Sequence, residues 1–152
     1  MDEAVTDEAI VRKTPTHLWV LGILALLWNC VGAYDYLMSN IGGLAYFESV
    51  GLDAAAYDWF QAMPVWAVAA WAIGVWGSVL GALLLLIRSR YSAPVYLVSI
   101  AGALIAFAYQ LGSSRPASLQ GGMATVMPLV ILILIVAQWY YARRMVQAGV
   151  LR

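Results

Sequence analysis

The chain has 152 residues, of which 64% are hydrophobic and 11% are charged, and its net charge is zero. Soluble domains have roughly half apolar and about a quarter charged residues, so this composition excludes an ordinary soluble domain. The single cysteine also excludes an internal disulfide.

Four apolar runs account for the composition: residues 18–38, 64–87, 94–112 and 123–142. Each has the length of roughly 20 residues that a helix needs to cross a bilayer core. Because that core offers no water to the backbone amides, the runs must be helices. We therefore predict an all-α, membrane-spanning four-helix bundle over residues 18–142. An N-terminal tail (1–17) and a basic C-terminal tail (143–152) flank it.

The flanks of the four runs differ in charge, although the net charge is zero. One side receives seven Lys and Arg residues and the other receives only Arg115. The seven are Arg12, Lys13, Arg88, Arg90, Arg143, Arg144 and Arg152. The positive-inside rule then predicts that both termini are cytoplasmic, and a bias this strong argues against a dual-topology dimer. The acidic leader before residue 18 also argues against a signal peptide.

Two polar residues lie inside the first run, Asn29 and Asp35. At 1.5 Å per residue, Asn29 lies about 16 Å from Leu18, near the midplane, and Asp35 about 25 Å from it, near the outer boundary. Being six residues apart, they point about 120° away from each other and do not form one tight site. At the depth of Asn29 we expect no polar side chain from the other helices. Its partner is then a backbone carbonyl, a water or Asn29 of a second copy, which leaves structural and solute-path roles open.

Further polar groups are predicted to lie near Asp35 at the outer face. They are Tyr36, Tyr109, Gln110 and, in the third loop, Arg115. These residues suit either an Asp35–Arg115 ion pair or a shallow polar vestibule, so with Asn29 they form the candidate solute-path or packing set. We expect Gln138 to be an ordinary interfacial residue near the cytoplasmic end of the fourth run.

The outer loop, residues 39–63, is the longest loop. Residues 39–43 read as a turn, and Asp53 is placed to cap a short helix from Ala54 to Phe60 that ends before Pro64. Its aromatic residues Tyr57, Trp59 and Phe60 suit the headgroup layer. The loop is therefore either an interfacial anchor or a substrate lid.

Small residues predict how the second and third runs pack. The second run carries Gly74, Gly77, Ser78 and Gly81, and the third carries Gly102. Small residues let membrane helices approach closely, and the short link of residues 88–93 makes the two runs an antiparallel hairpin. Pro128 is placed to kink the fourth run.

No catalytic motif is present in the sequence. No nucleophile has an oriented base, and no Gly-rich loop precedes a helix with a phosphate-binding Lys. The only histidine, His17, flanks the first run, which argues against a bis-histidine haem or a histidine-rich metal site. We expect no enzymatic activity, no cofactor and no nucleic-acid partner.

Five stretches carry a resemblance to known proteins: residues 26–32, 35–38, 64–77, 141–145 and 149–152. They are similar to segments of a family of small, uncharacterised four-helix bacterial inner-membrane proteins, some of which carry the automatic label "sugar transporter". The resemblance covers most of the chain from about Thr16. It implies a multi-pass protein of the bacterial inner membrane and, by label only, a sugar-like solute.

Two functions are compatible with the sequence. The first is a transporter or transporter subunit for a small polar solute. The second is a scaffold or accessory subunit of a larger membrane complex, which would use the small-residue faces. The expected partners are the lipid bilayer and a parallel homo-oligomer or larger complex.

Overall fold

The computed structural model describes residues 14–152 and shows an all-helical chain there. The helices are α1 (Thr16–Ile41), α2 (Gly43–Ser49), α3 (Ala54–Gln61), α4 (Val65–Leu86), α5 (Ser92–Gly112) and α6 (Gly122–Gln147), with a 3₁₀ turn at Ala117–Leu119. Of these, α1, α4, α5 and α6 are long and apolar enough to cross a membrane. The predicted all-α fold with four spanning helices is confirmed. The acidic leader, Arg12 and Lys13 lie outside the described residues.

The spanning helices pack in chain order: α1 on α4, α4 on α5 and α5 on α6. The chain ends of the described part meet at Arg88, in the link between α4 and α5. The guanidinium of Arg88 donates to Thr14 Oγ1 at 2.7 Å, and Arg152 N donates to Arg88 O at 2.8 Å. We call this the terminal end of the bundle. The opposite end, which carries α2 and α3, is the cap end.

The hairpin of α4 and α5 is the most tightly packed part of the bundle. A Cβ atom added at Gly102 would lie 2.7 Å from Ala70 O and 2.8 Å from Gly74 N, and one added at Gly77 would lie 2.8 Å from Ser99 Cβ. Only glycine allows this approach of two backbones. The predicted hairpin contact is confirmed.

Serine hydroxyls add polar bonds across the same interface. Ser92 Oγ donates to Gly81 O at 2.8 Å, and Ser99 Oγ donates to Gly74 O. Both serines are fully buried. Ser78 differs, because its hydroxyl donates to Val75 O of its own helix at 2.7 Å. Its carbonyl is left to face α1.

Two helix boundaries differ from the expected ones by three residues or more. The turn predicted at residues 39–43 is wrong for its first half, since α1 continues to Ile41. The direction changes only at Gly42 and Gly43, where Gly43 adopts φ +62°, and α2 follows as an unpredicted helix. At the other end of the chain, α6 runs through Pro128 and on to Gln147.

The end of the chain closes the terminal end of the bundle. After α6, Gly149 adopts φ +70° and turns the chain back. Leu151 is then buried at 3% exposure in a core with Leu18, Leu85 and Tyr96. Arg90 N donates to Arg152 O at 3.0 Å. This core fills the terminal half of the bundle.

Gly102→Ala tests the close packing of the hairpin. We expect it to lower the free energy of unfolding in detergent by about 1–3 kcal/mol, because its Cβ overlaps the α4 backbone. Gly32→Ala is the matched control, since it is also inside a spanning helix and its Cβ meets nothing within 4 Å. Thermal unfolding curves measure both. Equal stability of the two variants would contradict the packing described above.

Candidate functional site

A cavity of about 620 Å³ occupies the cap half of the bundle. All four spanning helices and α2 contribute to its lining. Its volume falls within the roughly 300–1,000 Å³ of small-molecule sites. Its floor lies at Asn29, Ser78 and Ile135, and its cap-end wall includes Ser39 and Phe47.

Asn29 forms the polar part of the floor. Its side chain is 6% exposed, and Nδ2 donates to Ser78 O at 2.9 Å and to Gln138 Oε1 at 2.9 Å. The amide therefore uses both of its N–H donors and links α1 to α4 and to α6. Polar groups at such depth need partners inside the protein, and here they have them.

One part of the prediction for the partner of Asn29 is confirmed, and another part is wrong. A backbone carbonyl, Ser78 O, is confirmed as an acceptor. The prediction that no polar side chain reaches Asn29 is wrong, because Gln138 accepts its hydrogen bond. The prediction that Gln138 is an interfacial residue is wrong for the same reason. The reason is the length of α6: its last residue, Gln147, lies nine residues past Gln138. Gln138 is thus about 14 Å inside the helix rather than at its end.

Asp35 lies on α1, in the cavity wall nearer the cap end. Its carboxylate accepts a hydrogen bond from Tyr46 Oη at 2.7 Å. Burial, then the hydrogen bond and negative charge of Asp35, raise the pKa of Tyr46 well above its usual value. The phenol therefore stays protonated and remains a donor.

The predicted Asp35–Arg115 ion pair is not formed among the described residues. The unpredicted helix α2 folds back over the end of α1 and supplies Tyr46 in its place. The backbone carbonyl of Arg115 accepts a hydrogen bond from Gln120 Nε2 within the third loop. Arg115 does not line the cavity.

The structure separates the remaining candidate residues. Gln110 lines the cavity with Asn29 and Asp35. Tyr36 instead packs edge-on against Trp71, with ring centroids 4.9 Å apart. Tyr109 packs between two tryptophans, 6.0 Å from Trp59 and 5.4 Å from Trp66, in an aromatic cluster beside the cavity.

Residues 43–61 cover the cap end of the cavity. Phe47 is 1% exposed and packs with Ala56 and Leu119, and its ring lies 5.4 Å from that of Phe60. Both Phe47 and Phe60 line the cavity. The packing fits both alternatives for this loop, and residues 43–61 are called the lid from here on for their position alone.

Asp53 fastens this lid to the third loop. Its carboxylate accepts from Ala56 N at 2.9 Å, which confirms the predicted helix cap, and from Ser118 Oγ at 2.8 Å. The hydrogen bond from Ser118, followed by that from Ala56 N, lowers the pKa of Asp53 below its usual range. The ionised form thus holds the lid in place.

The seam between α1 and α6 runs beside the cavity, and residues of both helices line it. Toward the terminal end the two helices are joined by Asn29 and Gln138 and by His17 Nδ1 and Tyr141 Oη, 2.6 Å apart. In the cap half no such bridge exists within residues 14–152, and a Cβ at Gly32 would meet nothing within 4 Å. The seam faces lipid once the four helices span a bilayer.

The chemistry of the site consists of one carboxylate, several uncharged polar groups and apolar walls. Within the described range, no three His, Cys, Asp or Glu side chains are grouped so as to hold a metal ion. Comparisons with protein-family models, with curated proteins and with solved structures find no match for this chain. The arrangement is suited to non-covalent binding.

The attachment of the lid is expected to depend on pH through Asp53. A carboxyl whose folded pKa is lowered stabilises the fold above its ordinary pKa of about 3.9, and loses that effect as the pH falls through the folded value. We expect amide protection of residues 43–61, corrected for intrinsic exchange, to fall on acidification below about pH 4.

Asp53→Asn keeps an acceptor oxygen but cannot be protonated in this range, so it is expected to remove the acid response. The control is Asp58→Asn, which removes an exposed carboxylate on the same helix and is expected to keep the response. An unchanged acid response in Asp53→Asn would contradict the role of Asp53.

Proposed function

We propose that this chain is a small membrane transporter or transporter subunit, and that its substrate is an amphipathic small molecule held in the cap-half cavity. The observation that carries the proposal is the cavity itself. A closely packed four-helix bundle has no need of about 620 Å³ of internal space. The hairpin of α4 and α5 shows that this chain packs helices closely elsewhere.

The distribution of polar groups supports an amphipathic substrate. Polar side chains lie at the floor, where Asn29 sits, and toward the cap end, where Asp35, Ser39, Tyr46 and Gln110 sit. The walls between them are mostly aliphatic and aromatic. A sugar buried there would leave hydroxyl groups without partners, at about 1–3 kcal/mol each. The geometry therefore favours an amphipathic molecule over the sugar that the resemblance implies.

The charge distribution supports an orientation for the cavity. Five arginines of the described part lie at the terminal end: Arg88, Arg90, Arg143, Arg144 and Arg152. The cap end carries the acidic residues Glu48, Asp53 and Asp58 beside Arg115. By the positive-inside rule, we propose that the terminal end faces the cytoplasm and that the cavity lies in the outer half of the membrane, which the resemblance implies to be a bacterial inner membrane. Substrate exchange would occur through the seam with the outer leaflet.

Transport requires that the floor open, and its polar bonds are weak enough to allow this. Interhelical hydrogen bonds in membranes contribute about 0.6 kcal/mol each on average, with a maximum of about 1.7. Releasing the two bonds of Asn29 thus costs about 1–3 kcal/mol. A conformer that lies a few kcal/mol above the ground state is populated at about 0.1–10%, which suffices for alternating access.

One observation favours a second function. Below the floor, Leu18, Leu85 and Tyr96 are at most 1% exposed and leave no channel to the terminal end. In addition, α6 buries only Ile135 and Ala142 fully, so most of its surface faces lipid or another protein. An accessory subunit that holds a lipid permanently, within a parallel homo-oligomer or a larger complex, would also have this structure.

Thiol labelling at position 32 separates the two functions. In a Cys30→Ala background, Gly32→Cys places a thiol in the cavity without a clash. A membrane-impermeant maleimide is then applied to right-side-out and inside-out vesicles. A transporter is expected to be labelled from both sides, because the lid opens the cavity to the cap side and the floor opens it to the terminal side in minor states.

Leu24→Cys in the same background is the control, since Leu24 lies on α1 at 57% exposure outside the cavity lining and is expected to stay unlabelled. Labelling of position 32 from the cap side alone would support the accessory function. Absence of labelling from both sides would remove the transport proposal.

A further inference from the structure

We propose that the ligand of the cavity is a lipophilic organic cation that pairs with Asp35. This inference rests on the proposed function, because it names the ligand class of the same cavity. It is carried by the charge of Asp35, by the aromatic composition of the walls and by the hydrogen-bonding acceptor at the floor.

Asp35 is the only charged side chain among the described residues that line the cavity. No cationic side chain of the described part pairs with it, and its one hydrogen bond comes from the neutral phenol of Tyr46. A carboxylate has about four acceptor positions, so most remain open. An aspartate inside a membrane is costly, most of all at mid-depth and less toward the surface. A cationic ligand would offset this cost directly.

The aromatic wall supplies a second feature that suits a cation. Six aromatic side chains line the cavity: Trp28, Tyr46, Phe47, Phe60, Trp71 and Phe107. Three of them form a continuous surface, with ring centroids 5.4 Å apart for Phe47 and Phe60 and 5.6 Å apart for Phe60 and Trp71. The negative faces of aromatic rings attract cations electrostatically.

The floor offers an acceptor rather than a donor. Asn29 donates both of its N–H groups, one to Ser78 O and one to Gln138 Oε1. Within residues 14–152 its carbonyl oxygen receives no hydrogen bond and is not among the buried unpaired atoms, so it is accessible from the cavity. Asn29 and Asp35 differ by about 9 Å in height. The carbonyl of Asn29 at the floor and the carboxylate of Asp35 toward the cap end can thus both accept hydrogen bonds from an ammonium or similar group.

A pair of ions with the same shape and opposite charge tests the inference. Tetraphenylphosphonium and tetraphenylborate are dialysed to equilibrium against the full chain in zwitterionic lipid nanodiscs, and binding to empty nanodiscs is subtracted. We expect the wild type to bind the cation at least tenfold more tightly than the anion. Asp35→Asn is expected to weaken cation binding by about tenfold, because it removes the charge and keeps the acceptor for Tyr46.

Two further variants locate the binding and control for charge. Asp58→Asn removes an exposed cap-end carboxylate outside the cavity lining and is expected to leave cation binding unchanged. Gly32→Phe fills the cavity and is expected to abolish binding. Cys30→Phe adds the same ring to the exposed surface of α1 and is expected to leave binding unchanged. Thermal unfolding of each variant verifies that it is folded.

The outcomes separate the ligand class from the cavity function. If Asp35→Asn binds the cation as tightly as the wild type, or if the wild type binds both ions equally or neither, the cation inference is wrong. The cavity function would still stand if an ion binds and Gly32→Phe weakens its binding while Cys30→Phe does not. If Gly32→Phe changes nothing for a bound ion, that ion does not occupy the cavity and the cation inference is wrong, while thiol labelling at position 32 still decides the transport proposal.

Discussion

The amide of Asn29 joins three of the four spanning helices at mid-depth, through Ser78 on α4 and Gln138 on α6. Lipid offers no competing partner at this depth, so the two hydrogen bonds determine where α1 and α6 meet. Below them, the core around Leu18 and Tyr96 fills the terminal half. Above them, no hydrogen bond within residues 14–152 bridges α1 and α6, and the cavity begins. The bond of Asn29 is therefore both the floor of the cavity and the upper limit of the packed core.

The rest of the chain keeps this division in place. The glycine-packed hairpin of α4 and α5 is rigid because its backbones touch, so it serves as the wall against which the other helices are positioned. At the cap end, Asp53 ties α3 to Ser118 in the third loop, and Tyr46 ties α2 to Asp35. Side-chain hydrogen bonds thus lie at both ends of the cavity, and within residues 14–152 none bridges α1 and α6 beside it. Weak bonds at both ends fit the opening that the proposed function requires.

Hydropathy was sufficient to predict the spanning helices, and small residues were sufficient to predict the α4–α5 contact, because both depend on local pattern. Gln138 was misplaced because the fourth run was ended at residue 142, before the basic residues Arg143 and Arg144. The structure places their guanidinium groups over the rings of Trp139 and Tyr140, at 5.6 and 5.8 Å, and the helix continues. Helix α2 was missed because Gly42 and Gly43 resemble a turn. The cavity could not be predicted, because its size depends on the side-chain volumes of four helices together and not on the pattern within one of them.

The most direct measurement of the central claim is a double-mutant cycle between Asn29 and Gln138. The free energy of unfolding is measured in bicelles for the wild type, Asn29→Ala, Gln138→Ala and the double variant. We predict a favourable coupling of about 0.6–1.7 kcal/mol between the two side chains, the range found for interhelical hydrogen bonds in membranes. Additive effects, with no coupling, would show that the two amides do not bond and that the floor of the cavity is not where it is described.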